Sequence, residues 1–159
     1  MTIQSPPSPS STLVVDVTRQ QVDLLGALDE VLASYPVSTS KFGLGFEEGS
    51  FKTPTGRFRI SEKIGAGEPP WMSFKSRIPT GSIAVPGGSE DLILSRILWL
   101  EGMDAENSNT LKRTIYFHGT NQEELIGTPV SHGCIRLRNR DMIELFDLVK
   151  VGDPLEIRA

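Results

Sequence analysis

What most restricts the fold of this chain is how its apolar residues are cut up. Fifteen glycines and 11 prolines are spread over 159 residues. Between them the apolar stretches are short: Leu13–Val17, Gln21–Leu25, Val31–Val37, Arg57–Ser61, Leu92–Leu100, Arg113–Phe117 and Leu155–Ile157. Runs of this length, bounded by polar or Gly/Pro turns, predict strands. One segment departs from the pattern. Met142, Leu145, Phe146 and Val149 fall at i, i+3, i+4 and i+7, which predicts a helix over about 140–149 with Asn139 as its cap. The expectation is a mainly β domain with one helix packed on the sheet near the C-terminus.

The first three runs, joined by polar residues and the charged Asp29-Glu30 tip, predict an antiparallel meander. Phe42–Gly56 holds too many Gly and Pro for a regular element. Residues 62–90 read as one long irregular loop, with turns at Glu68–Trp71 and Pro79–Gly81. A loop of that length is often a lid or a substrate wall. Trp71, Phe74 and Arg77 could line such a wall, or the two aromatics could simply anchor the loop. Periodicity does not decide Leu92–Leu100; its length and β context favour a buried strand. Asn121–Val130 reads as a short loop whose Glu123-Glu124 pair faces solvent. Residues 1–11, rich in Ser and Pro, read as a disordered lead-in to a single domain over residues 12–159.

Some function classes are excluded early. The net charge is −4, and no basic stripe is present to neutralise phosphates, so nucleic acid is not the expected partner. No apolar run approaches the length of a membrane-spanning helix. The N-terminus lacks a cationic segment followed by a hydrophobic one, which is not a secretory signal. If Met1 is the native start, a cytoplasmic location is expected.

The chemistry is concentrated. One cysteine and two histidines occur in the whole chain, and all three lie between His118 and Cys134. A thiolate is a good nucleophile and imidazole the usual base for raising it near neutral pH. A lone cysteine is more often buried packing, but the two histidines change that balance. His118 ends the run Thr114-Ile115-Tyr116-Phe117, at the mouth of a strand, and His132 is two residues from Cys134. Gly133, without a Cβ, allows a sharp turn that brings amide N–H groups close to a substrate carbonyl.

His118-Gly119-Thr120 followed by Ser131-His132-Gly133-Cys134-Ile135-Arg136 resembles the signature of the L,D-transpeptidase (YkuD-type) catalytic domain. Lys52-Thr53-Pro54-Thr55-Gly56-Arg57-Phe58 is similar to that family's weaker Thr-Pro-x-Gly element. The resemblance covers about residues 12–158. It implies an L,D-transpeptidase-like β-sandwich or open barrel, in which the Thr-Pro-x-Gly turn closes the sheet beneath the site. It further implies Cys134 as nucleophile and His118 as base, forming a thiolate–imidazolium pair, with the Gly119 carbonyl orienting the imidazole. The N–H groups of Gly133 and Cys134 would form the oxyanion hole, with His132 beside it as a donor. Ser131, Tyr116 and Arg136 are the candidate substrate-binding residues. Arg136 could grip a substrate carboxylate in a fork, or it could be a structural ion pair.

The implied partner is a peptidoglycan stem peptide, and no cofactor is implied. Cys134 would attack an L-diaminopimelate–D-alanine bond through a thioester. Resolution by an amine gives a 3–3 cross-link, and resolution by water gives an L,D-carboxypeptidase. Absence of an export signal, and a loose likeness of Arg77–Gly81 and Ser95–Leu100 to a cytoplasmic recycling branch, lean towards hydrolysis. Two rivals stand beside this. His118, His132 and Cys134 could form a three-ligand zinc site, or the domain could be a wall-binding module that has lost activity.

Overall fold

The computed structural model describes residues 11–159. The expected lead-in lies outside these, apart from Ser11. Ten strands form one sheet. They are β1 (Thr12–Asp16), β2 (Gln21–Leu25), β3 (Val31–Pro36), β4 (Gly56–Ile64), β5 (Met72–Lys75), β6 (Ile78–Ile83), β7 (Ile93–Gly102), β8 (Tyr116–Gly119), β9 (Ile135–Leu137) and β10 (Pro154–Arg158). The path runs β3-β2-β1-β10-β4-β7-β5-β6, and β8 joins β7 and carries β9 on its other side. The only α-helix among the described residues is α1 (Asn139–Leu148). The protein is mainly β with an open sheet and one docked helix.

β7 explains why that stretch is apolar throughout. Leu98 and Leu100 point into the main core, while Ile97 and Trp99 belong to a second cluster on the opposite face. A strand covered on both faces has no reason to alternate. The main core is closed by α1, whose Met142, Leu145 and Phe146 are buried, with Val149 just beyond its end. The second cluster holds Met72, Phe74, Ile97 and Tyr116, and Cys134 packs against it.

The structure corrects several sequence expectations. The first three strands do form an antiparallel meander, but β1 also pairs in parallel with β10, and β8 in parallel with β9. Residues 62–90 are not an irregular loop. β4 runs on to Ile64, and β5 and β6 form a hairpin. Its turn is Ser76-Arg77, both at positive φ, a geometry that non-glycine residues adopt seldom and that their sequence does not announce. Pro79-Thr80-Gly81 lies within β6. Because β6 is exposed along its length, it has no hydrophobic alternation to read. β8 begins at Tyr116; Arg113 and Thr114 are in a turn.

The helix starts differently from the expectation. Arg138 holds the N-cap position without a side-chain bond, and Asn139 is the first helical residue. The cap comes from elsewhere in the chain. Glu123 Oε2 accepts the Asn139 backbone N–H at 2.7 Å and its Nδ2–H at 3.1 Å. A carboxylate at a helix N-terminus satisfies an orphan donor and meets the positive end of the dipole. Glu123 is therefore a cap, while Glu124 is exposed.

Candidate active site

The site is built on the parallel pair β8–β9. Its register sets Phe117 against Ile135, His118 against Arg136 and Gly119 against Leu137. Phe117, Ile135 and Leu137 enter the main core. Strand side chains alternate between faces, so Tyr116, His118 and Arg136 share the opposite face, where Cys134, one residue before β9, also packs. Sequence distance becomes proximity through one short parallel pairing.

Each imidazole is fixed by its Nδ1. His118, only 2% exposed, has Nδ1 at 2.7 Å from the Gly119 carbonyl. A carbonyl only accepts, so Nδ1 carries the proton and Nε2 is left with its lone pair. His132 Nδ1 lies 3.2 Å from Asp91 Oδ2, and the same reasoning puts its proton on Nδ1. A neutral His132 therefore offers an acceptor at Nε2. It could donate to an oxyanion only when protonated.

The thiol has backbone partners. Cys134 Sγ accepts the Tyr116 N–H at 3.4 Å and donates to the Thr114 carbonyl at 3.5 Å. Burial pushes the thiol up to about 11, partly offset by the Tyr116 N–H. Burial also depresses the His118 imidazole below its ordinary value, against the opposing pull of Asp91 and the Gly119 carbonyl. Desolvation disfavours the charged form of each group.

The turn carrying the cysteine is latched from two sides. Ser131 Oγ donates to the Cys134 carbonyl at 2.6 Å and accepts the Gly133 N–H at 3.2 Å. Thr53, fully buried, donates its hydroxyl to the Gly133 carbonyl at 3.0 Å. Gly133 has φ 120°, a region open to glycine almost alone. The Gly133 N–H is thus already bonded, whereas the Cys134 N–H has no acceptor among the described residues. Of the two expected oxyanion donors, Cys134 is the free one.

All three of the expected substrate-binding side chains are engaged by the protein itself. Arg136 is 2% exposed; it pairs with Asp91 Oδ1 at 2.9 Å and donates to Gln122 Oε1 at 3.0 Å. Of its two sequence readings, the structural ion pair is the one the geometry supports. Tyr116 is buried, with its hydroxyl accepting from Arg77 at 2.8 Å and its ring edge-on to Trp99. Ser131 is buried within the turn. His132 is open to solvent on one side, against Phe42 and Phe51. Among the described residues, no three His, Cys, Asp or Glu side chains are arranged to hold a metal ion.

Sequence reasoning missed Asp91. It lies in a Gly/Ser-rich stretch before β7, and no spacing rule links it to His132, 41 residues on. Asp91 and His132, bonded to one another, each line a separate groove. One, about 380 Å³, runs under the β5–β6 hairpin past Phe74, Thr80, Asp91 and Ile93. The other, about 170 Å³, is lined by Phe51, Arg113, Ile115 and His132.

A parallel strand pair that delivers a histidine and a cysteine to one face of an open β-sheet, beneath a hairpin, defines a recognisable class of domain. The family model described as the L,D-transpeptidase catalytic domain, YkuD, matches residues 10–157, and the chain belongs to that family. Among curated relatives, Bacillus subtilis (strain 168) YqjB, which bears an L,D-transpeptidase name, is 33% identical over 147 residues. That match covers 92% of this chain and 70% of YqjB. B. subtilis YkuD is 30% identical over 129 residues, 81% of this chain and 55% of the relative. An L,D-transpeptidase from Mycobacterium smegmatis has the same fold, with a TM-score of 0.63 at 24% identity, over 95% of this chain and 59% of that one. The L,D-transpeptidase LdtMt1, solved in complex with imipenem, gives a TM-score of 0.60 at 25% identity, over 94% of this chain and 59% of that one. The chain thus spans little more than half the length of these solved neighbours.

Proposed function

We propose that the protein is a cysteine-dependent acyltransferase acting on peptidoglycan stem peptides. The observation that carries this reading is the contact of His118 Nδ1 with the Gly119 carbonyl, which leaves Nε2 as the available ring nitrogen on the face that holds the Cys134 thiol. In this reading the proton moves as the substrate is attacked. Sγ leaves the Thr114 carbonyl and bonds to the acyl carbon of the diaminopimelate–D-alanine bond, and His118 Nε2 takes the thiol proton. The Cys134 N–H meets the oxyanion. Collapse of the tetrahedral species breaks the C–N bond, and His118 returns the proton to the departing D-alanine amine. The product is a thioester on Cys134.

An amine of a second stem resolving that thioester gives a 3–3 cross-link, and water gives a shortened stem. The family supports the first as the leading reading. Incubating the protein with a purified tetrapeptide-stem muropeptide and weighing the products separates them. A cross-linked dimer identifies a transpeptidase, and a tripeptide stem with free D-alanine identifies a carboxypeptidase. Neither product, with Cys134 unacylated in the intact-protein mass, would overturn the proposal. Since LdtMt1 was solved with imipenem, the same mass measurement after imipenem treatment offers a second probe of Cys134.

A further inference from the structure

Asp91 is the charged group on which the site's side chains converge, and it has no part in the chemistry above. Its Oδ1 pairs with Arg136 at 2.9 Å, and its Oδ2 accepts from His132 Nδ1 at 3.2 Å. Arg136 lies opposite His118 in the β8–β9 register, on the same face. A buried guanidinium so placed opposes any positive charge that His118 would acquire. Asp91 supplies the compensating negative charge.

The groups facing His118 divide cleanly. Arg136 from β9 disfavours its protonation; Asp91, from the segment before β7, and the Gly119 carbonyl of β8 favour it. The Cys134 thiol shares the face and feels Asp91 on one side and Arg136 and Arg113 on the other. Asp91 itself is held below the usual carboxylate range. Burial acts to raise it, but His118, Arg136 and the His132 bond together outweigh burial.

We propose that Asp91 is a positioning residue of this site: it neutralises Arg136 so that His118 can accept the thiol proton, and it fixes His132 in its Nδ1–H tautomer. The role rests on the acyl-transfer reading for its consequence in turnover, but not for its physical effect. Losing the carboxylate leaves Arg136 uncompensated beside His118, and His132 free to turn. The effect is one of charge at His118 and of orientation at His132.

The chain has only two histidines, so both imidazoles can be followed directly by NMR in the whole protein without any substrate. The comparison is of wild type, Asp91→Asn and Asp91→Glu. Asn keeps the size and removes the charge; Glu keeps the charge. In Asp91→Asn the His118 titration midpoint should move to lower pH, and the His132 nitrogen shifts should report a mixture of tautomers in place of one. Turnover of a tetrapeptide stem should fall about 10- to 100-fold in kcat with a smaller change in KM. Asp91→Glu should return the His118 midpoint towards wild type. Should Asp91→Asn fail to fold because Arg136 is left buried and unpaired, adding Arg136→Gln removes both charges. The His118 midpoint of that double variant should then lie closer to wild type than burial of a lone guanidinium allows.

A folded Asp91→Asn protein with the wild-type His118 midpoint and a single His132 tautomer would overturn the proposal, whatever its activity. A wild-type protein inert towards muropeptides, yet with the NMR changes present, would instead overturn the acyl-transfer reading and leave the role of Asp91 standing.

Discussion

The backbone N–H of Tyr116 points at the sulfur of Cys134, 3.4 Å away, and the thiol in turn donates to the carbonyl of Thr114 at 3.5 Å. The Cys134 thiol is thus parked beside the strand that carries His118. Thr114, β-branched, sits at φ 54° to present that carbonyl, a conformation that costs free energy and recurs at functional sites.

Replacing the thiol tests the chemistry at little structural cost. Cys134 is only partly buried, at the edge of the second cluster, so Cys134→Ala should lower stability by about 1 kcal/mol or less. Turnover of muropeptide should fall at least about 1,000-fold, and the protein should no longer take up iodoacetamide, since no other cysteine is present. Residual turnover above about one per cent of wild type, at wild-type folded content, would remove Cys134 from the mechanism.

Stability should fall on both sides of neutrality, for opposite reasons. The folded His118 resists protonation that the unfolded chain accepts near its ordinary value of 6.5. The unfolded state then binds more protons, so stability is lost as pH falls through that value. The folded Cys134 keeps its proton to about 11, while the unfolded chain releases it near 9.0. Between those two values the folded state binds more protons, so stability declines as pH rises. Urea midpoints at pH 5, 8 and 10 check both limbs, and Cys134→Ala should lose less than wild type between 8 and 10. Equal losses in the two proteins would mean that the thiol is not desolvated.

How much of this was readable in the sequence depended on whether burial left a pattern. β1, β2, β4 and β10 bury alternate or clustered apolar residues, and they stood out. The Met142, Leu145, Phe146, Val149 stripe did as well. β6 was invisible because it is exposed from Ile78 to Ile83, and β9 because three residues, Ile135–Leu137, are too few to show a period. The candidate pair, His118 and Cys134, was legible because its residue types are scarce and close together. Asp91 and the capping role of Glu123 were not, because each acts over a distance that only the sheet closes, and the Thr53 segment stood out only through its resemblance.

Thr53 shows what that closure does. Its hydroxyl donates to the Gly133 carbonyl at 3.0 Å and accepts the Ser40 N–H at 3.0 Å, fully out of solvent. Thr53→Val keeps the shape and leaves two buried polar groups without partners, which should cost about 1–3 kcal/mol. The turn bearing Cys134 should also loosen, so that kcat falls more than folded content does. Thermal unfolding together with a thiol-alkylation rate at fixed pH checks this. A wild-type alkylation rate with unchanged Tm would mean that the Thr-Pro-Thr-Gly segment is an ordinary turn.

Gly119 is confined by its neighbours rather than by its backbone angles. A Cβ there would overlap Asn139 Oδ1 and come within 2.9 Å of the Leu94 carbonyl. Asn139 cannot easily move, because its amide donates to the Thr120 carbonyl at 2.7 Å and its Oδ1 accepts from Ser95 at 2.6 Å. Gly119→Ala should therefore push β8 away from α1, at a cost of about 1–3 kcal/mol and a Tm lower by about 3–10 °C. The carbonyl that fixes the His118 tautomer moves with it. Turnover measured well below the new Tm should consequently fall, and the two histidine signals should show His118 sampling both tautomers. An alanine variant with wild-type Tm and a single His118 tautomer would show that the strand absorbs the methyl without disturbing the base.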